Sequence, residues 1–339
     1  MSSIGRHVLK LSGYAPALPT PFDDDDRVDG AAFARLCDRQ IAAGASALVV
    51  GGTTGEASSL SDAEHRELIR IAVKVSNRRV PVIAGTGSNS TAHAIDLGKD
   101  AQAHGADALL SVVPYYNKPT QDGLYAHFCE IAAASSLPLI LYDVPSRTVC
   151  ALADETIARL AAVPRIIGLK DATGDVARPG RLRPRVGTDF RLLSGDDATA
   201  LGFIAQGGDG CISVTSNVAP GLCRSMFLAW RHGETKRAQR VSLAVAQLTA
   251  ALFRNPNPVP VKYALSLFAL MSPRPRLPLV ELDSRAKVEL AGALAQLCEC
   301  HAASMIDKIG RARESAMAEW RAEAAIFSRS KIGNSSPRE

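Results

Sequence analysis

Lys170 closes an apolar run in Arg165-Ile-Ile-Gly-Leu-Lys-Asp-Ala-Thr-Gly174, whereas the other nine of the ten lysines fall in helical, loop or terminal segments. A lysine rising from the end of a buried strand is partly desolvated. That disfavours an ammonium and frees an amine to attack a carbonyl. The competing reading is an ordinary ion pair with Asp171 or another carboxylate at the strand end. Other apolar runs end in compatible groups. One finishes as Val50-Gly-Gly-Thr-Thr-Gly-Glu56, where glycines let the backbone approach a ligand and hydroxyls and N–H groups hold a carboxylate. The same stretch also reads as a plain Gly-rich turn. Two more finish as Pro114-Tyr-Tyr-Asn117 and Tyr142-Asp-Val-Pro-Ser-Arg-Thr148, so three of the six tyrosines stand at such ends. A phenol hydrogen-bonded to another hydroxyl relays protons, although each tyrosine taken singly fits aromatic packing. Arg147 offers a planar carboxylate receptor or, more plainly, a solvated surface cation. A threonine, two tyrosines, an arginine and a lysine together describe a site where an amine attacks a small keto acid.

Those ends need a frame. Short β-rich runs at Ala15–Pro21, Ala47–Gly52, Val80–Thr86, Ala108–Pro114, Pro138–Val144, Ile166–Lys170, Phe190–Ser194 and Gly210–Val214 alternate with helical spacing such as Phe33/Leu36/Cys37/Ile41. Near-continuous apolar strands are buried on both faces, as a parallel sheet covered by helices requires. Eight βα units in roughly 200 residues match a (β/α)8 TIM barrel. An open doubly wound sheet is the alternative, but no Gly-x-Gly-x-x-Gly opens a helix after the first strand. Beyond about Val218 the strand signals stop. Gly221–His232, Lys236–Phe253, Pro260–Leu270 and Asp283–Cys300 read as helices, with loops at Asn255-Pro-Asn-Pro258 and Pro273–Pro278. The expected organisation is an N-terminal extension over 1–14, the barrel over 15–220, a C-terminal helical extension over 221–300 packed on it, and a tail over 301–339, helical to about Phe327.

Composition excludes several other classes. Of 339 residues, 47% are apolar and 22% charged, a globular balance. The net charge of +5 comes from 39 basic and 34 acidic residues interleaved along the chain, which gives no nucleic-acid footprint. Seven scattered cysteines, an odd number, read as reduced thiols of a cytoplasmic protein. Cys298-Glu-Cys300-His301 lacks a second ligand pair at zinc spacing, so no metal is expected. The first residues lack a secretory h-region, and Val241–Phe253 is too short and polar to span a membrane.

Taken in order, Gly52-Thr-Thr-Gly-Glu56, Ala84-Gly-Thr-Gly87, Pro114-Tyr-Tyr-Asn-Lys-Pro119, Leu141-Tyr-Asp-Val-Pro-Ser-Arg-Thr148, Gly168-Leu-Lys-Asp-Ala-Thr-Gly174, Leu193-Ser-Gly-Asp-Asp197 and Gly210-Cys-Ile-Ser-Val-Thr215 resemble the pyruvate-dependent class I aldolases, and among them the dihydrodipicolinate synthase family. The resemblance runs from about Ala17 to about Leu297. It implies an imine between Lys170 and pyruvate, proton transfer by Tyr142 with Thr53 and Tyr116 in the relay, and Thr54 on the pyruvate carboxylate. Arg147 would hold the carboxylate of aspartate semialdehyde, and Ile212 and Gly195 would line the pocket. It further implies no metal or organic cofactor, and a dimer of dimers in which the position of Tyr116 is shared across the tight interface. Sialic-acid, 2-keto-3-deoxygluconate and hydroxy-oxoglutarate aldolases share Lys170, Tyr142 and the Gly-Thr-Thr-Gly-Glu turn; Arg147 and the Tyr115-Tyr116 pair favour the synthase. A keto-acid-binding barrel without catalysis is the rival of another class. Two departures stand out. Asp143 occupies a position where the family often has asparagine, with an expected effect on hydrogen bonding beside Tyr142. Among positions matching the lysine-inhibitor site of some members (Ala57, Ser58, Asp62, His65, Asn89, His93 and Tyr115), His93 replaces an acidic residue and Asp62 a histidine. Weak or absent lysine inhibition follows.

Overall fold

A computed structural model describes residues 11–298 of the chain. The expected tail over 301–339, with Cys300 and His301 of the cysteine-rich cluster, lies outside the described residues. The eight strands β1 (Gly13–Pro16), β2 (Leu48–Val50), β3 (Val82–Gly85), β4 (Ala108–Val112), β5 (Leu139–Asp143), β6 (Ile166–Asp171), β7 (Arg191–Ser194) and β8 (Gly210–Ser213) form one sheet in the order β1-β8-β7-β6-β5-β4-β3-β2. Every ladder is parallel. The remaining gap, between β1 and β2, is spanned by an Ala17–Val49 bridge and by Leu18 N–H donating to Val49 O at 2.9 Å. The sequence placed all eight strands of this (β/α)8 barrel. Its first run is shifted: pairing starts at Gly13 and ends at Pro16, because Pro16, Pro19 and Pro21 have no N–H to extend a ladder.

Alternation along the strands decides what faces the barrel interior. Val49, Ile83, Leu110, Ile140, Tyr142, Leu193 and Ile212 pack together inside the ring. Leu48, Val50, Leu109, Leu139, Leu141 and Leu169 pack outward against the helix layer with Leu68, Ile69, Phe128 and Ile157. Both faces are therefore apolar, which is why these strands read as continuous apolar runs. At the β1–β8 seam, a Cβ at Gly210 would lie 2.3 Å from Gly13 O, so only glycine fits there.

Four helices, Pro220–Arg231, Thr235–Phe253, Val259–Leu267 and Ser284–Cys298, follow the barrel. Leu248, Leu252, Val261, Leu265, Leu290 and Leu294 form their core, which reaches Ala32 and Leu36 of the first barrel helix. These late elements also send polar side chains back to the strand ends. Among the described residues no helix is long and apolar enough to cross a membrane.

Candidate active site

The register of β5 on β6 sets Tyr142 opposite Lys170 and Asp143 opposite Asp171. Leu141 and Leu169 face the helix layer, so their neighbours Tyr142 and Lys170 face the barrel interior. Both are buried, and Lys170 Nζ lies 4.1 Å from the centroid of the Tyr142 ring. Asp171 turns to the opposite face, where its Oδ1 accepts from Thr173 N–H at 2.9 Å and from the Thr173 hydroxyl at 2.6 Å. A simple Lys170–Asp171 ion pair is thereby excluded. Gly195, just past β7, makes room for the lysine stem: a Cβ there would sit 3.0 Å from Lys170 Cε and 3.1 Å from Cγ. Ile212 is buried on β8 in the same interior cluster as Tyr142.

The Gly51–Glu56 turn follows β2. Gly55 O accepts from the Thr20 hydroxyl at 2.7 Å, and Glu56 adopts a left-handed φ of 57°, a conformation that a non-glycine residue holds only when its surroundings fix it. Those surroundings come from the helix Val259–Leu267 and from the loop that follows it. Glu56 Oε1 takes Lys262 Nζ at 2.6 Å, and Glu56 Oε2 accepts from Arg276 N–H at 2.9 Å. Lys262 and Arg276 both lie 4.2 Å from the Phe22 ring centroid. Burial pushes the Lys262 ammonium below its ordinary pKa, against the pull of Glu56. Arg276 also grips Glu64 and holds that carboxyl down to about 2. Thr54, buried, accepts from Asn257 Nδ2 at 2.9 Å. Arg147, in the short turn of helix Pro145–Thr148, donates to Asn257 O at 3.4 Å. Asn257 thus ties the threonine turn to the arginine.

Thr53, Tyr142, Arg147 and Asn257 line one cavity of about 520 Å³ that also reaches Ser58, Asp62, His65, His93 and Tyr115. Lys170, Thr54, Ile212, Gly195 and Tyr116 are not part of its wall. Tyr116 stands apart from the others: it is 90% exposed with φ 74°, on a turn held by Asn117 Nδ2 donating to Asn89 O at 2.8 Å. Of the seven positions matching the lysine-inhibitor site, Ala57, Ser58, Asp62, His65, His93 and Tyr115 share the cavity wall and Asn89 does not. His65 Nε2 donates to Gly85 O at 2.8 Å, and burial lowers its pKa.

Asp143 does not act beside the Tyr142 hydroxyl as the sequence led us to expect. One residue further along β5, its carboxylate falls on the outer face and receives Arg178 Nη1 at 2.8 Å. Asn257, Lys262 and Arg276 were missed altogether. The one signal in sequence was the doubled Asn-Pro at 255–258 and a lysine inside the apolar stretch Val259-Pro-Val-Lys-Tyr-Ala-Leu265.

A parallel barrel that buries a lysine amine against a tyrosine ring at the carboxyl ends of adjacent strands has the architecture of the imine-forming aldolases. The sequence model described as the dihydrodipicolinate synthetase family matches residues 10–297, and the chain belongs to that family. A Hyphomonas neptunium protein named 4-hydroxy-tetrahydrodipicolinate synthase is 53% identical over 285 residues, covering 84% of this chain and 97% of its own. The chloride-inhibited dihydrodipicolinate synthase of Acinetobacter baumannii, solved with pyruvate, superposes with a TM-score of 0.82 at 44% identity, covering 84% of this chain and 98% of its own. The lysine-bound synthase of Cyanidioschyzon merolae superposes with a TM-score of 0.83 at 37% identity, covering 85% and 98%.

Proposed function

We propose that the protein is a lyase that condenses pyruvate, held as an enamine on Lys170, with L-aspartate 4-semialdehyde to give 4-hydroxy-tetrahydrodipicolinate, in the diaminopimelate branch of lysine biosynthesis. The observation that carries the reading is the buried Lys170 amine lying against the Tyr142 ring at the barrel's carboxyl end. Lys170 Nζ adds to the keto carbon and water leaves, forming a protonated imine. That imine accepts the electron pair released when the methyl group loses a proton, and an enamine results. The enamine carbon bonds to the aldehyde carbon, whose oxygen takes a proton. The amine of the bound semialdehyde then adds to the imine carbon, expels Lys170 and closes the ring. No redox partner is required.

Tyr142 is the proton donor and acceptor, linked to Thr53 and to Tyr116 supplied by a second copy of the chain. Thr54, Gly195 and Ile212 hold the pyruvate unit, and Arg147 receives the semialdehyde carboxylate at the cavity mouth. The near-complete exposure and left-handed backbone of Tyr116 support a tight dimer, two of which make the tetramer. We place the enzyme in the cytoplasm, in keeping with the free thiols of Cys37, Cys129, Cys150, Cys211 and Cys223.

Borohydride reduction with pyruvate tests the chemistry. A covalent mass increase at Lys170, absent in Lys170→Ala, is expected; a protein that merely binds keto acids gives none. Acceptor profiling tests the substrate: if a sugar aldehyde or glyoxylate outperforms aspartate semialdehyde, the assignment passes to another aldolase of the family.

A further inference from the structure

The carboxylates that follow Tyr142 and Lys170 in sequence form a second constellation on the outer face of the barrel wall. Asp143 and Asp171 lie abreast in the β5–β6 register, one step beyond the Tyr142–Lys170 pair. Their side chains are 0% and 1% exposed. Between them sits the guanidinium of Arg178, itself 5% exposed, at the start of the helix Arg178–Val186. Its Nη1 donates to Asp143 Oδ2 at 2.8 Å and to Asp171 Oδ2 at 3.2 Å. Its Nε donates to Asp154 Oδ1 at 3.0 Å, and its Nη2 donates to Leu152 O. Leu152 N–H returns a bond to Asp143 Oδ2 at 3.3 Å.

This arrangement goes beyond what burial of an ion cluster requires. A guanidinium is a rigid planar fork, so bonds from one nitrogen to two strands fix the distance between those strands and their relative shift. A slip of one residue in a strand exchanges its inner and outer faces. The register that brings both aspartates to Arg178 is therefore the one that brings Tyr142 abreast of Lys170. Asp154 and Leu152 O hold the guanidinium from the far side, so it cannot follow one strand and abandon the other. Apolar packing of Leu141 and Leu169 resists a slip of a whole residue, but being non-directional it does not fix shifts smaller than that.

We propose that Arg178 is a positioning residue for the reaction: bridging Asp143 and Asp171, it sets the placement of the Tyr142 ring against the Lys170 amine. The proposal rests on the imine chemistry assigned above to that pair. An ammonium cannot bridge both aspartates and also keep Asp154 and Leu152 O on the far side, so Arg178→Lys loosens the hold on one strand or the other. A misplacement of about 1 Å at reacting groups lowers turnover about 100-fold.

The test compares the wild-type enzyme with Arg178→Lys, Asp143→Leu and Asp143→Asn. For each, melting is followed by circular dichroism, and kcat, the KM for pyruvate and the rate of borohydride trapping are measured at a temperature where every variant is folded. Arg178→Lys and Asp143→Leu are expected to lose about 10- to 100-fold in kcat and in trapping rate with little change in KM. Asp143→Asn keeps an acceptor oxygen for Arg178 and recovers most of what Asp143→Leu loses. If Arg178→Lys fails to fold, the two Asp143 variants decide. Wild-type kcat and trapping rate in variants that only melt earlier overturn the positioning role, as does an Asp143→Asn as slow as Asp143→Leu. Failure of the wild-type enzyme to trap pyruvate instead removes the imine chemistry itself.

Discussion

Replacing Lys262 by methionine keeps the side-chain stem and removes the charge, and so isolates what the buried pair does for the threonine turn. Lys262 and Glu56 are 0% and 2% exposed at a separation of 2.6 Å. At an effective dielectric of about 20, that separation corresponds to about 6 kcal/mol of attraction. Desolvation of both ions offsets much of it. Removing one partner nevertheless strands the other, at a cost of about 3–5 kcal/mol. Glu56 retains only Arg276 N–H, so Lys262→Met is expected to lower the melting temperature by about 4–8 °C. Adding Glu56→Gln removes the stranded charge, and the double variant should recover at least about half of that loss. Calorimetry or denaturant unfolding of the single and double variants measures the coupling. A loss below about 1 kcal/mol for Lys262→Met, or a double variant as unstable as the sum of the singles, would refute the reasoning.

Gly195→Ala puts a methyl group 3.0 Å from Lys170 Cε and from Ala172 Cβ; the lysine stem must move, and kcat is expected to fall about 10-fold or more, which steady-state kinetics with a melting control will show. His127 is buried with Nδ1 bonded to the Thr91 hydroxyl and Nε2 without a partner, and burial lowers its pKa to about 4. Between pH 6.5 and 4 the unfolded chain binds the proton and the folded one does not, so stability falls with pH through that window by about 2 kcal/mol, His65 acting in the same direction. Denaturation midpoints at pH 7 and pH 5 test this: the difference should shrink in His127→Gln. Lysine is expected to inhibit weakly, because His93 on the cavity wall offers no carboxylate to a ligand ammonium where an acidic residue would pair with it, and Asp62 stands in place of a histidine; strong inhibition below millimolar lysine would contradict it.

The barrel was legible because its strands are covered on both faces, which leaves unbroken apolar runs punctuated by Gly and Pro. Lys170 and Tyr142 were legible for the same reason: a polar residue that ends such a run has nowhere to go but the strand end. Sidedness was not. Asp143 adjoins Tyr142 in sequence, and only the register and alternation reveal that it lies across the sheet with Arg178. Nor did the sequence indicate that Asn257 and Lys262 reach the Gly51–Glu56 turn, since these contacts join residues 203 and 206 positions apart and an asparagine in a loop or a lysine in a helix is ordinary by itself.

The Gly13–Gly210 seam carries a consequence for biogenesis. Neighbours such as β5 and β6 lie a helix apart and can zip soon after they leave the ribosome. β1 must wait for β8, about 200 residues later, and closing that span costs about 2 kcal/mol more chain entropy than closing β5 on β6. Until then β1 lacks its ladder partner, and Gly13–Pro16 is the stretch most in need of a chaperone's cover.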